Sequence, residues 1–272
     1  MKKKVKILFI ESGSIGGGSA ESLYQHLSVI DRSLYLPFVM FTNRNQYFTK
    51  ISKLDIPCKV LENSIFNEQL FFAHSNRIRF NLRCLHAIGI FFPALSLFYE
   101  KKLHRIVIQQ IKDYLIYNKI DLVHTNNQVH RDYYAIEAAR SSGVACVAHI
   151  RSFNSKGFTY AKAQFINKNV KKIITYSRYI AEQWIDCGLN KNIVEIVHNS
   201  IGFIKNFHMD LNRQYNIPPG TKIIGIVGLI IPERNHLMLL DAFAELVKLR
   251  NNVHLLIVGK ARQDRKTLLV AS

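Results

Sequence analysis

Seven short apolar runs of strand length constrain the fold of this 272-residue chain more than any other feature. They lie at 5–10, 36–42, 58–61, 121–125, 144–150, 172–176 and 194–198. Their hydrophobicity is continuous rather than alternating. Strands covered on both faces need that pattern, so the runs predict a parallel sheet. Helical spacing stands between them at 19–30, 131–142 and 178–187. The alternation of the two patterns predicts a doubly wound α/β sheet.

A second unit opens near the end of the chain. Residues 204–220 read as a linker that closes on the turn signal Pro218-Pro219-Gly220. Residues 221–260 then read strand, loop, helix, strand. Leu237, Leu240, Phe243 (or Ala244) and Val247 follow helical spacing and predict one buried face. The expected organisation is a complete first domain over 1–203, a linker over 204–220, and an incomplete second domain over 221–272. Too few residues follow Phe203 for the ~100–200 of a whole domain.

The charge balance bears on partners. Lys and Arg number 37 against 19 Asp and Glu, a formal charge of +18. Such an excess favours a polyanionic partner: nucleic acid, an anionic membrane surface or phosphorylated ligands. Nucleic acid is the weakest of these, because the sequence has no helix-turn-helix pattern, zinc spacing or aromatic RNA-binding signature. Cys58, Cys84, Cys146 and Cys187 form no CxxC pair, which predicts reduced cytosolic thiols and no metal site. The apolar run at 5–10 is interrupted by Lys6 and is shorter than the ~7–15 residues of a signal-peptide core. The charge-free stretch 84–99 is shorter than the ~20 residues that cross a bilayer. Arg77, Arg79 and Arg83 precede it, and Lys101, Lys102 and Arg105 follow it. It reads either as a core helix with solvated flanks or as a docking surface for anionic lipid.

Four constellations could carry chemistry. The first is the glycine loop Gly13-Ser14-Ile15-Gly16-Gly17-Gly18, between the first strand and its helix. Glycines let backbone approach a ligand closely, and the amides of a helix N-terminus favour an anion. The spacing is neither GxGxxG nor a P-loop, so a purely structural turn competes with this reading. The second gathers His124, Asn126 and Asn127 with His149, Arg151 and Ser177 at the carboxyl ends of parallel strands, where open α/β sheets bind ligands. The third, His198-Asn199-Ser200, closes the last strand of the first domain. The fourth, Pro232-Glu233-Arg234-Asn235, opens the helix of the second unit. Arg234 is a fixed cation suited to a diphosphate, or a solvated helix-start residue.

In chain order these blocks resemble family 4 of the glycosyltransferases. VKILFIESGSIGGGSAESLYQHL is similar to that family's first strand, glycine loop and helix. DLVHTNN, VAHIRSF, VEIVHNSI, IVGLIIPERNHLMLLDAF and HLLIVGK are similar to its later segments. The sequence departs from the family pattern at Leu229, Asn235 and Ser200, which stand where an arginine and two glycines are usual. The resemblance implies a GT-B-like fold, with a complete Rossmann-like first domain for the acceptor and an incomplete second one for the nucleotide-sugar. It implies a retaining hexosyl transfer from a nucleotide-sugar to a lipid-linked or polysaccharide acceptor in envelope or surface polysaccharide assembly, lipopolysaccharide included. By the same resemblance His149 is the candidate catalytic residue. Gly16, Gly17, Gly18, Asn126, Arg151, Asn199 and Arg234 are the candidate contacts to diphosphate or acceptor. No metal or cofactor is expected, and the expected location is cytoplasmic, peripheral at the inner face of the membrane. The alternative is a non-catalytic acceptor-binding or membrane-associated module that works with a partner chain.

Overall fold

The structure, a computed structural model, describes residues 3–13, 17–61, 97–98, 101–153, 158–199 and 210–259. Contacts between residues divide the chain into two compact units, Met1–Phe203 and Ile204–Ser272. The first is built on seven strands: β1 (Val5–Glu11), β2 (Tyr35–Phe41), β3 (Cys58–Val60), β4 (Leu122–Thr125), β5 (Ala145–Ile150), β6 (Lys172–Thr175) and β7 (Val194–Ile196). They form one sheet in the order β3-β2-β1-β4-β5-β6-β7. Every described pairing is parallel.

Among the described residues six helices connect or cover these strands: α1 (Gly18–Val29), α2 (Gln46–Ser52), α3 (Arg105–Asn118), α4 (Tyr133–Ser141), α5 (Tyr160–Asn169) and α6 (Arg178–Asp186). Parallel crossovers are right-handed in nearly all proteins. From β1 the chain therefore winds one way to β2 and β3, then returns and winds the other way from β4 to β7. The helices fall on opposite faces as a result. One core joins Leu8 and Ile10 of β1 to Ile111, Leu115, Tyr134, Ile136, Ile180 and Trp184 of α3, α4 and α6. The other joins Ile7 and Phe9 of the same strand to Leu23, Leu27, Tyr47 and Ile51 of α1 and α2. Alternate residues of β1 thus fill separate cores, which is why its run of apolar residues is unbroken.

The N-terminal lysines contribute to this assembly. The Lys6 amide donates to Asp121 Oδ2 at 2.9 Å, and its Nζ donates to the Asn118 carbonyl at 2.8 Å. These bonds tie the start of β1 to the turn that leads into β4.

The second unit contains a one-turn helix, α7 (Leu211–Gln214), then β8 (Lys222–Val227), α8 (His236–Leu249) and β9 (Val253–Val258). Strands β8 and β9 pair in parallel. Helix α7, capped by Asp210, lies inside the stretch expected to be a linker. The expected buried face of α8 needs correction. Leu237, Leu240 and Val247 are exposed, and the less exposed positions are His236, Leu239, Phe243 and Leu246. A two-stranded sheet covers only one narrow stripe of the helix, and that stripe is offset from the one the spacing suggested. Gly259 shows how closely the two strand ends approach: a Cβ there would stand 1.9 Å from the Gly228 carbonyl oxygen.

Phe9 is 1 % exposed and lies at the centre of the α1 core. Phe9→Ala is expected to cost about 3–5 kcal/mol, read as a lower urea midpoint at unchanged slope. A change under about 1 kcal/mol would mean that this core is not closely packed.

Candidate functional site

The crevice is built where β1 and β4 lie side by side. At this point strand order reverses and the following helices diverge to opposite faces, which opens space at the carboxyl ends. Glu11 ends β1 and is wholly buried. Its carboxylate accepts from three donors. Oε1 takes the Gly13 amide at 2.9 Å and the Ser19 hydroxyl at 3.1 Å, and Oε2 takes Asn126 Nδ2 at 2.6 Å. Burial raises its pKa above the ordinary value, although Asn126, Gly13, Ser19 and the Arg151 charge all act to lower it.

Asn126 follows β4. Its Nδ2 also donates to the Ser19 carbonyl at 3.0 Å, and its Oδ1 accepts from Arg151 Nη2 at 2.9 Å and Nε at 3.2 Å. Arg151 follows β5, and its Nη1 donates to Asn199 Oδ1 at 2.8 Å. The Ser22 hydroxyl reaches the same Asn199 oxygen at 3.4 Å. One hydrogen-bonded row therefore runs Glu11–Asn126–Arg151–Asn199, from the end of β1 to the residues after β7. Burial lowers the Arg151 pKa to about 10, which leaves the side chain charged at neutral pH.

Behind this row the chain is fixed by apolar packing. Trp184 is wholly buried, meets the rings of Phe153, Phe158 and His130, and donates Nε1 to the Ser152 carbonyl at 3.3 Å. The Arg151 amide donates to the Asn127 carbonyl at 2.9 Å, and Gln128 Nε2 donates to Ser152 Oγ at 2.8 Å. The segment carrying Arg151 is thus held from both sides.

The glycine loop serves two purposes. A Cβ on Gly13 would meet Glu11 Oε1 at 2.6 Å, so the carboxylate beneath requires glycine there. Cβ atoms on Gly17 and Gly18 would meet nothing within 4 Å, so packing does not require those glycines. Gly17 is the N-cap of α1 and makes no side-chain cap bond, and amides of a first helical turn are groups that can bind an anion. Gly16 lies outside the described residues. Glu21, the acid in this first turn, is engaged elsewhere: it accepts from Tyr47 Oη at 2.6 Å and Gln25 Nε2 at 2.7 Å.

Two histidines occupy the same face below the polar row. The rings of His124 and His149 stack at 5.9 Å and 22°, and Phe9 stands 4.9 Å from His124. The Nε2 atoms of both are shut off from solvent and meet no hydrogen-bond partner among the described residues. Burial pushes the His124 pKa down to about 3 and that of His149 down to about 2, with Arg151 contributing to both. His149 is therefore a neutral imidazole at physiological pH. It can donate or accept a hydrogen bond, but it is a poor proton carrier.

Other expected residues have structural places. Ser177 caps α6, accepting from the Ile180 amide at 3.3 Å. His198 Nδ1 lies 2.9 Å from the Tyr176 carbonyl oxygen. Arg234 belongs to the second unit and is exposed in the single turn Pro232–Arg234. Asn235 after it has φ of 51°, the left-handed region, where asparagine is the usual substitute for glycine. That accounts for its presence where the family pattern has glycine.

Sequence reasoning missed Glu11 and Asp132. Asp132 is wholly buried at the start of α4, near Ser12 and the Asn127 amide, and burial lifts its pKa to about 7. Among the described residues no three His, Cys, Asp or Glu side chains group to hold a metal. No described helix is long and apolar enough to cross a membrane, and the stretch 84–96 lies outside the described residues. A shallow concavity of about 350 Å³ lies between α4 and α5, remote from the polar row. Its Lys101 and Arg140 are already paired with buried Glu137.

No family profile matches the sequence, and no curated protein matches it. Solved structures do. Anabaena HepE (Alr3699) in complex with UDP is 18% identical over 96% of this chain and 62% of its own, with a TM-score of 0.66. The lipopolysaccharide outer core galactosyltransferase WaaB is 16% identical over 96% of this chain and 62% of its own, at 0.56. A Listeria monocytogenes protein assigned as a UDP-N-acetylglucosamine 2-epimerase is 12% identical over 94% and 62%, at 0.57. The chain thus spans about 62% of the length of these neighbours. At such identities the likeness shows the fold, an α/β architecture of the GT-B type.

The buried groups make stability depend on pH in opposite senses. His124 and His149 titrate far below the ordinary 6.5 in the folded chain. Their contribution is intact above about pH 6.5 and is lost as pH falls towards about 3. His124→Gln/His149→Gln is expected to flatten the fall in melting temperature between about pH 7 and about pH 5. An unchanged slope would mean that neither histidine is buried as described. Asp132 has a raised folded pKa, so its contribution is present below about pH 4 and is lost as pH rises through about 7. Asp132→Asn should therefore gain stability over the parent as pH rises across that range, and a constant difference would refute this.

Proposed function

We propose that this chain takes part in glycosyl transfer from a nucleotide-sugar to a lipid-linked or saccharide acceptor, with the crevice of the first unit on the acceptor side. The observation that carries this reading is Arg151. It is a half-buried guanidinium held across strand ends, beside the N-terminus of α1, in a fold whose neighbours include a UDP complex of HepE and the galactosyltransferase WaaB. Positive groups and oriented amides stabilise the negative charge that grows as a sugar–phosphate bond ionises.

In this reading Arg151, Asn126, Asn199 and the backbone at Gly16, Gly17 and Gly18 contact phosphate or acceptor oxygens. Arg234, in the second unit, binds the donor diphosphate. His149 acts as a neutral hydrogen-bonding group towards a sugar or acceptor hydroxyl. The reaction retains anomeric configuration and requires neither metal nor cofactor. The chain works in cell-envelope or surface polysaccharide assembly, lipopolysaccharide included, at the cytoplasmic face of the membrane. Its formal charge of +18 supports attraction to anionic lipid there.

The test is direct. The 272-residue chain is titrated with UDP and UDP-glucose by calorimetry, then incubated with labelled UDP-sugars and a lipid-linked acceptor fraction. Binding and transfer of label to the acceptor are expected, and Arg151→Ala should weaken binding or transfer by about tenfold or more. Conversion of the sugar with no transfer would favour epimerisation, the reaction assigned to the Listeria neighbour. The absence of any nucleotide or nucleotide-sugar binding would favour a non-catalytic module that works with a partner chain.

A further inference from the structure

The polar row has a direction that its chemistry cannot reverse. A carboxylate only accepts hydrogen bonds and a guanidinium only donates them. Between them the Asn126 amide has one of each end to offer. Its Nδ2 faces Glu11 Oε2 at 2.6 Å and its Oδ1 faces the Arg151 guanidinium at 2.9 Å. A flipped amide would set donor against donor at Arg151 and acceptor against acceptor at Glu11. Here both ends of the network dictate the same answer.

The Glu11 carboxylate is in turn surrounded only by donors: the Gly13 amide, the Ser19 hydroxyl and Asn126 Nδ2. All three are satisfied by an ionised carboxylate and not by a neutral amide in its place.

We infer that Glu11 is a positioning residue: it fixes the direction of the Asn126 amide and thereby holds the Arg151 guanidinium ready for an anionic ligand. That the ligand is a phosphate of donor or acceptor rests on the proposed glycosyl transfer; the coupling from Glu11 to Arg151 does not. With Glu11→Gln, the NH2 group stands either in the Oε1 place, against the Gly13 amide and the Ser19 hydroxyl, or in the Oε2 place, against Asn126 Nδ2. In the second case the Asn126 amide turns over and its oxygen is lost to Arg151. A second variant separates this effect from a general loss of structure. Glu11→Gln/Asn126→Asp moves the negative charge one step along the row. The introduced glutamine amide then accepts from Gly13 and Ser19 and donates to the new carboxylate, which accepts from Arg151. The rescue is expected to be partial, because the Ser19 carbonyl loses its donor at 3.0 Å.

The experiment uses the ligand-free 272-residue chain. The Arg151 Nε–H resonance is assigned by its loss in Arg151→Lys, and its hydrogen exchange is measured alongside the melting temperature. The parent should show a resolved, protected resonance. Glu11→Gln should lose protection by about tenfold or more, and the double variant should regain a substantial part of it. The proposal is overturned if Glu11→Gln keeps parental protection, or if the folded double variant protects Arg151 no better than Glu11→Gln does. Should Glu11→Gln not fold, the double variant alone decides: a protected Arg151 resonance supports the positioning and an unprotected one overturns it. UDP binding by the parent, measured separately, tests the functional reading without touching this one.

Discussion

Strands β1 and β4 lie side by side although more than a hundred residues separate their ends, and the crevice depends on that pairing. The Asn126 amide bonds to the Ile10 carbonyl at 3.0 Å, which brings its side chain to the Glu11 carboxylate. Right-handed crossovers on either side send α1 to one face and α4 to the other. No helix can then close over the carboxyl ends at this junction. The strand ends that meet there carry the polar residues Glu11 and Asn126, and the two apolar cores lie on either face of the sheet.

The two cores also explain how buried charge is tolerated. A carboxylate shut away from water is costly unless its oxygens are bonded. Glu11 meets this with three donors from three separate segments. Two of them belong to the loop and helix that follow its own strand: Gly13, whose glycine identity the carboxylate imposes, and Ser19, at the start of α1. The glycine loop and the strand end thus form one unit. The histidines below take the other route available to buried ionisable groups and shed the proton.

Much of this was legible in the sequence, and the illegible part has a common cause. The strands stood out because each is an apolar run bounded by polar residues, and observed limits differ from expected ones by a residue or two. Asn126, Arg151 and Asn199 were visible because they end such runs. Glu11 was not, because the apolar run of β1 stops at Ile10 and an acid beside glycines reads as loop. Its burial depends on Asn126, 115 positions away, which local spacing cannot reveal. The stacking of His124 on His149 is hidden for the same reason: it needs the register of β4 on β5. On α8 the period was read correctly and the phase was not. A helix carrying apolar residues around much of its circumference leaves that choice to whatever packs against it.

Arg151 presents its charge through a fork whose nitrogens are held by Asn126 and Asn199, while the excess of basic residues is spread along the rest of the chain. A negatively charged molecule would be drawn in by the rest of the surface and sorted only on arrival, by whether its oxygens match the fork of the guanidinium. Capture and discrimination would then reside in different parts of the protein, the first sensitive to salt and the second to shape.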